Sequence, residues 1–426
     1  MKLKPVVASL VVLGLMAPAL AHKPMKSVVA QQAVVDQNSV ISTVCSDSWF
    51  NRITIGGMGS VVGIAGNRDL PGSFANTGNS SDLYINNVNL LANVNLSNWS
   101  KFTLNLAYLG APDQWRMTSS SSADLTGNSG SHRIFADEAY VTFSDLAKHP
   151  LYVKIGKAYV PFGEYNDQYV PWQIESPAQM LAQTNGPTAI VGLATDFGLY
   201  ASAFALKGST QPINSTTNNI RNWGGKIGYQ DNLANFNAPN ARVNFNLSYI
   251  RNVWDSLAFT PDTALPQSTL SSSTTARDPV GALSAHVDMS YKAFSAYADW
   301  VGTLTNMHET YTNATSTASS KFWGANVNAA YAFETMSHDS SLGAGIQFSG
   351  NGEWFGESSV GKISPSAGTG GLFSMVIPKW RAVAEYKVNL YKNTDLGVVY
   401  AHSKSYDISS ADRTSNTGLA CLTVKF

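Results

Sequence analysis

Along most of this chain, apolar side chains recur at every second position in segments of about ten residues, a strand period. The connections between those segments are alternately long and short. Val88, Leu90, Ala92, Val94 and Leu96 alternate with Asn87, Asn89, Leu91, Asn93 and Asn95. After Ser97–Ser100 the chain turns back, with Phe102, Leu104, Leu106 and Tyr108 set against Lys101, Thr103, Asn105 and Ala107. A solvated sandwich face would favour charged residues, whereas rows of Asn and Thr suit a confined aqueous lumen. Roughly sixteen such segments can be counted, each long enough to cross a bilayer at a tilt. The fold expected is all-β: a transmembrane antiparallel up-and-down β-barrel. With both termini in the periplasm, every long connection becomes an extracellular loop and every short one a periplasmic turn. A soluble sandwich has no reason to obey that order.

Composition agrees. Only 13% of residues are charged and 11% are aromatic, against about 25% charge in an ordinary soluble domain. A wall with one face in lipid accounts for the deficit. Trp99, Phe102, Phe143, Tyr152, Tyr291, Phe294, Tyr331, Phe333 and Tyr391 sit beside the short turns, where a periplasmic aromatic girdle belongs. Lys2 and Lys4 precede an apolar run ending in Ala19-Leu20-Ala21, so residues 1–21 read as a signal peptide. Residues 22–48 read as a short periplasmic segment and residues 49–426 as the barrel in the outer membrane. Without the signal, 26 basic residues (28 minus 2) face 28 acidic ones, which gives no basic field for nucleic acid.

The last strand alternates too: Ala420, Leu422 and Val424 on one face, Cys421, Thr423 and Lys425 on the other, then Phe426. A terminal strand ending on an aromatic resembles the signal by which the barrel-assembly machinery recognises outer-membrane barrels. Cys45 and Cys421 are the only cysteines, one before the first strand and one on the last. Closure makes those strands neighbours, so a Cys45–Cys421 disulfide and two separate thiols are both open.

No G-x-S-x-G or H-E-x-x-H occurs, and the seven histidines are scattered over strand ends, loops and one strand interior. The reading is therefore a non-enzyme without cofactor or metal. Too little chain precedes the first strand for a plug domain, so a barrel of this size would enclose an aqueous channel unless a loop obstructs it. The third long connection, residues 159–187, carries four prolines with Glu164, Asp167 and Glu175, and is the candidate obstruction. By parity, Lys154, Arg242, Arg381, Glu385 and Lys387 face the lumen. Cations on the wall opposite an acidic loop would set a transverse field favouring anionic or zwitterionic solutes.

Phe135-Ala136-Asp137-Glu138-Ala139-Tyr140-Val141-Thr142-Phe143, followed by Leu151-Tyr152-Val153-Lys154-Ile155-Gly156-Lys157 and Pro161-Phe162-Gly163, resembles the matching hairpin of the LbtU-like siderophore-porin family, typified by the legiobactin receptor. The overall layout is similar as well. The resemblance implies uptake of a ferric siderophore without a plug domain, the solute being the partner along with outer-membrane lipid. It carries over no residue-level binding motif. A general or anion-leaning diffusion porin, and a structural or adhesive surface barrel, are the alternative readings.

Overall fold

The computed structural model describes residues 52–67, 79–109, 133–146, 148–164, 176–208, 220–231, 240–256, 279–310, 317–350, 378–404 and 414–426. Residues 1–21, expected to be a signal peptide, residues 22–48 with Cys45, and the loop acids Asp167 and Glu175 lie outside the described residues. The strands are β1 (Ile53–Asn67), β2 (Asn79–Ser97), β3 (Ser100–Leu109), β4 (Arg133–Ser144), β5 (Leu151–Tyr159), β6 (Asn185–Ala194), β7 (Leu199–Leu206), β8 (Asn222–Asp231) and β9 (Ala241–Ile250). They continue with β10 (Ala282–Tyr291), β11 (Phe294–Thr303), β12 (Met307–Thr310), β13 (Thr317–Ser320), β14 (Trp323–Thr335), β15 (His338–Gly350), β16 (Trp380–Tyr391), β17 (Thr394–Lys404) and β18 (Thr414–Lys425). Among the described residues a short α-helix, α1 (Pro177–Ala182), lies between β5 and β6.

All strands except β12 and β13 form one closed antiparallel barrel of sixteen, each paired with its sequence neighbours. The ring closes where β1 meets β18, with Met58 opposite Lys425 and Asn67 opposite Asn416. Phe426 completes the seam by exchanging both backbone hydrogen bonds with Gly57, each 3.0 Å. Closure leaves no sheet edge, which a membrane requires because lipid cannot satisfy exposed backbone groups.

Parity assigns the two faces. Ile227, Leu247, Val327 and Leu342 point outward and are exposed, whereas Lys226, Asn246, Asn326 and Gly343 on the same strands point inward and are buried. In a soluble protein such an apolar exterior would be an aggregation surface; here it matches lipid. Short turns fall at one end of the barrel. Met336 and Ser337, both at positive φ (51° and 65°), close the β14–β15 hairpin with the twist that two-residue turns need. Aromatics gather at that end: Trp99 packs on Phe143 (5.6 Å), Phe294 on Tyr331 (4.7 Å) and Tyr331 on Phe333 (6.0 Å).

Three expectations need correction. Tyr152 does not join the girdle. It shares the inward parity of Lys154 and lies over Gly192 of β6, where an added Cβ would meet its ring at 2.3 Å. The long connection between β11 and β14, expected as an extracellular loop, is not wholly irregular, since β12 and β13 pair within it as a small separate hairpin. The third connection is shorter than expected, because β6 begins at Asn185 rather than Thr188.

Candidate functional site

The third loop leaves β5, and its descending arm, Val160–Glu164, lies on the inner wall. Phe162 is fully buried. Gly163 adopts φ 72°, a left-handed conformation that costs glycine little, and a Cβ there would meet the Ala182 methyl at 2.3 Å. The Gly163 amide donates to Ser248 Oγ on β9 (2.9 Å) and its carbonyl accepts from Lys226 Nζ on β8 (2.9 Å). Lys226 also pairs with the Glu164 carboxylate, which accepts a further bond from Asn246 Nδ2 (2.8 Å). Burial opposes the Glu164 charge, but the Lys226 ammonium and His286 outweigh it and hold its carboxyl below the usual carboxylate range.

The returning arm begins with α1. Ser176 caps it: its Oγ accepts from Gln179 N (3.1 Å), while the Gln179 side chain accepts from Ser176 N (3.0 Å), a capping box with Pro177 in the first turn. The helix packs against β11, β14 and β15. Gly324 on β14 makes room for it, since a Cβ there would lie 2.6 Å from the Pro177 carbonyl carbon. In the ring order β5-β6-β7-β8-β9-β10-β11-β14, that strand is seven steps from β5 in a ring of sixteen, almost the opposite wall. The two described arms of the loop, 160–164 and 176–184, therefore lie inside the lumen.

Two kinds of contact hold it there. Val160, Phe162, Leu181 and Ala182 pack with Phe204, Leu206, Ile250, Trp254, Val301 and Phe322 in a hydrophobic core inside the barrel. Below it runs a polar chain. Ser176 Oγ donates to Asn326 Oδ1 (2.9 Å), Asn326 Nδ2 donates to Asp299 Oδ2 (3.0 Å), and Asp299 Oδ1 contacts His286 Nδ1. His286 Nε2 lies 3.4 Å from Asp288, which accepts from Asn244 Nδ2 (3.2 Å); Tyr200 donates to Asn244 Oδ1 (2.8 Å).

The remaining candidates are dispersed. Lys154 is on the lumenal face, its ammonium 4.2 Å from the Tyr140 ring centroid. Arg242 shares the inward parity of Asn244 and Asn246 near the periplasmic end of β9, opposite Ser290. Arg381 Nη1 donates to Gln347 Oε1 (3.1 Å), and Glu385 is buried two residues above Lys387. Lys387 and Lys425 share Asp395, at 3.4 and 3.0 Å. Cys421 is buried on the lumenal face, its Sγ 3.5 Å from Thr423 Oγ1. Glu164 spends its charge on Lys226 of the wall beside it, and Lys387 is matched by Asp395.

Sequence reading missed Lys226, His286, Asp299 and Asn326. Lys226 carried a usable signal as an inward-parity cation among glycines, Gly224-Gly225-Lys226-Ile227-Gly228. The others looked like ordinary polar lumen residues. Among the described residues no group of three or more His, Cys, Asp or Glu side chains is arranged to hold a metal ion.

A closed sixteen-strand barrel with an apolar exterior, a polar lumen and an inserted third loop defines the class: an outer-membrane β-barrel of the porin type. Known structures share this fold. The outer membrane channel DcaP of Acinetobacter baumannii superposes with a TM-score of 0.54 at 12% identity, over 88% of this chain and 97% of that one. OprB of Pseudomonas putida gives 0.51 at 10% identity, over 88% and 95%. OmpF of Salmonella typhi, in complex with daunomycin, gives 0.50 at 14% identity, over 88% and 97%. By sequence, a UPF0422 protein of Coxiella burnetii is 24% identical over 286 residues, 67% of this chain and 54% of that protein. The chain thus spans about half the length of the curated relative it matches. No family model matches the chain.

Proposed function

We propose that this barrel is a diffusion channel for small solutes across the outer membrane, with the third loop setting its width and the lumen wall its preference. The observation that carries this reading is α1 seated on β14, nearly opposite the strand from which its loop departs. An inserted, buttressed loop narrows a pore of this strand number without closing it by a separate domain. Binding and conduction are what a lumen of dispersed polar groups can do.

The solute class we assign is a ferric siderophore, on the resemblance carried by Phe135–Phe143 and Leu151–Gly163. A carboxylate-rich ferric complex suits the lumenal cations Lys154, Arg242 and Arg381. Planar-bilayer conductance of the refolded protein, with ferric and iron-free siderophore titrated in turn, tests both levels. Saturable block by the ferric complex alone is expected. Open channels indifferent to both would leave a general diffusion porin. Absence of conductance would overturn the channel and favour a structural or adhesive barrel.

A further inference from the structure

Strand register brings together a set of donors that spacing along the chain does not reveal. Asn95 of β2 is opposite Lys101 of β3, Lys101 opposite Thr142 of β4, and Thr142 opposite Lys154 of β5. All four have inward parity, so they form one row across the lumenal wall. The two lysines are two strand spacings apart, about 10 Å between their Cα atoms. An ammonium reaches roughly 6 Å from its own Cα, so both can meet over the strand between them. Lys154 already leans that way, its ammonium lying over the ring of Tyr140, which is on β4 two residues from Thr142. Glu138 is four residues further along β4, and Asp145 is paired with Lys148 at 3.0 Å in the turn.

We propose that Lys101, Thr142 and Lys154, with Asn95 at the edge, form an oxyanion-binding station in the periplasmic half of the lumen. Two ammonium groups, a hydroxyl and a carboxamide present several donors at different angles. That array suits phosphate or carboxylate oxygens better than a monatomic anion. The station deepens the channel reading and depends on it only for how the ligand arrives, so binding is measured separately from conduction.

The test titrates inorganic phosphate and, in a parallel arm, citrate into detergent-folded protein at low ionic strength, read by calorimetry. Heat-modifiable gel migration verifies that each variant has folded. Saturable binding is expected for the native protein. It should weaken by roughly tenfold or more in the double variant K101Q/K154Q, whose charge-assisted bonds are lost, and severalfold in Thr142→Val. Lys292→Gln, which removes a cation at a periplasmic turn, should bind as the native protein does. Citrate binding without phosphate binding would support the station and assign it to carboxylates; the reverse would support it for phosphates. No saturable binding of either probe, or a K101Q/K154Q variant that binds as tightly as the native protein, would overturn it. Binding without conductance would keep the station and remove the channel.

Discussion

At the scale of single residues, the lumen is held by charges that neutralise one another. Lys226 is buried and its partners are the Gly163 carbonyl and the Glu164 carboxylate, both on the inserted loop. Replacing it with Met leaves Glu164 inside the lumen without its cation, a change that costs about 3 kcal/mol or more where a buried pair is broken. The Lys226→Met barrel should melt at lower temperature and show noisier single-channel currents, measured on the same preparation. Glu164 also sets a pH dependence. Its carboxyl lies below the ordinary value of 4.5, so its contribution is present in full above that value and is lost as pH falls through the depressed one. Stability and current noise of the native channel should therefore be flat near neutrality and change only at acid pH, while Glu164→Gln should lose that acid step. An unchanged acid step in Glu164→Gln would assign it to another group. The sequence marked Glu164 as an acid of the third loop, but not that its partner would be a lysine 62 residues away.

At the scale of elements, α1 and the inward and outward faces of the strands carry separable consequences. Gly324 is the seat of α1, and a Val there would push against Pro177 and Ala178 while leaving the strand pairing intact. Gly324→Val should thus give a folded barrel with a displaced loop and a larger unit conductance; a conductance equal to that of the native channel would mean the loop does not set the width. The two faces of β16 differ in the same checkable way. Arg381 and Lys387 share inward parity, so replacing both with Glu should shift reversal potentials toward cation selectivity. Ala382 and Ala384 have the outward parity, and Glu at both should hinder insertion into lipid, because acidic groups on that face must be desolvated. The helix itself was not legible in residues 159–187. Its capping box, Ser176-Pro177-Ala178-Gln179, is a local signal, but a six-residue helix is stabilised mainly by what it packs on, and that surface is supplied by β11, β14 and β15.

At the scale of the whole molecule, closure is the property on which the rest depends. The seam is completed by Phe426, whose backbone pairs with Gly57 and whose ring occupies the space a Cβ at Gly57 would need, 2.6 Å away. Deleting Phe426 should slow folding and reduce the yield of heat-modifiable barrel, more strongly in cells than in detergent if the assembly machinery reads this residue, as we propose. The sequence by itself determined the class of fold, the strand periodicity, the alternation of long and short connections and which residues face inward on most strands. These are consequences of the pleat, which assigns faces by counting in twos and needs no knowledge of the partner strand. Tyr152 lies beside a turn, as girdle residues do, but its parity turns it inward. Only the tertiary structure decided which inward residues meet. Ser176 finds Asn326 across 150 residues, and Asn95, Lys101, Thr142 and Lys154 fall into one row. Those meetings depend on the register of each pair and on how the ring closes, quantities that a period of two leaves free.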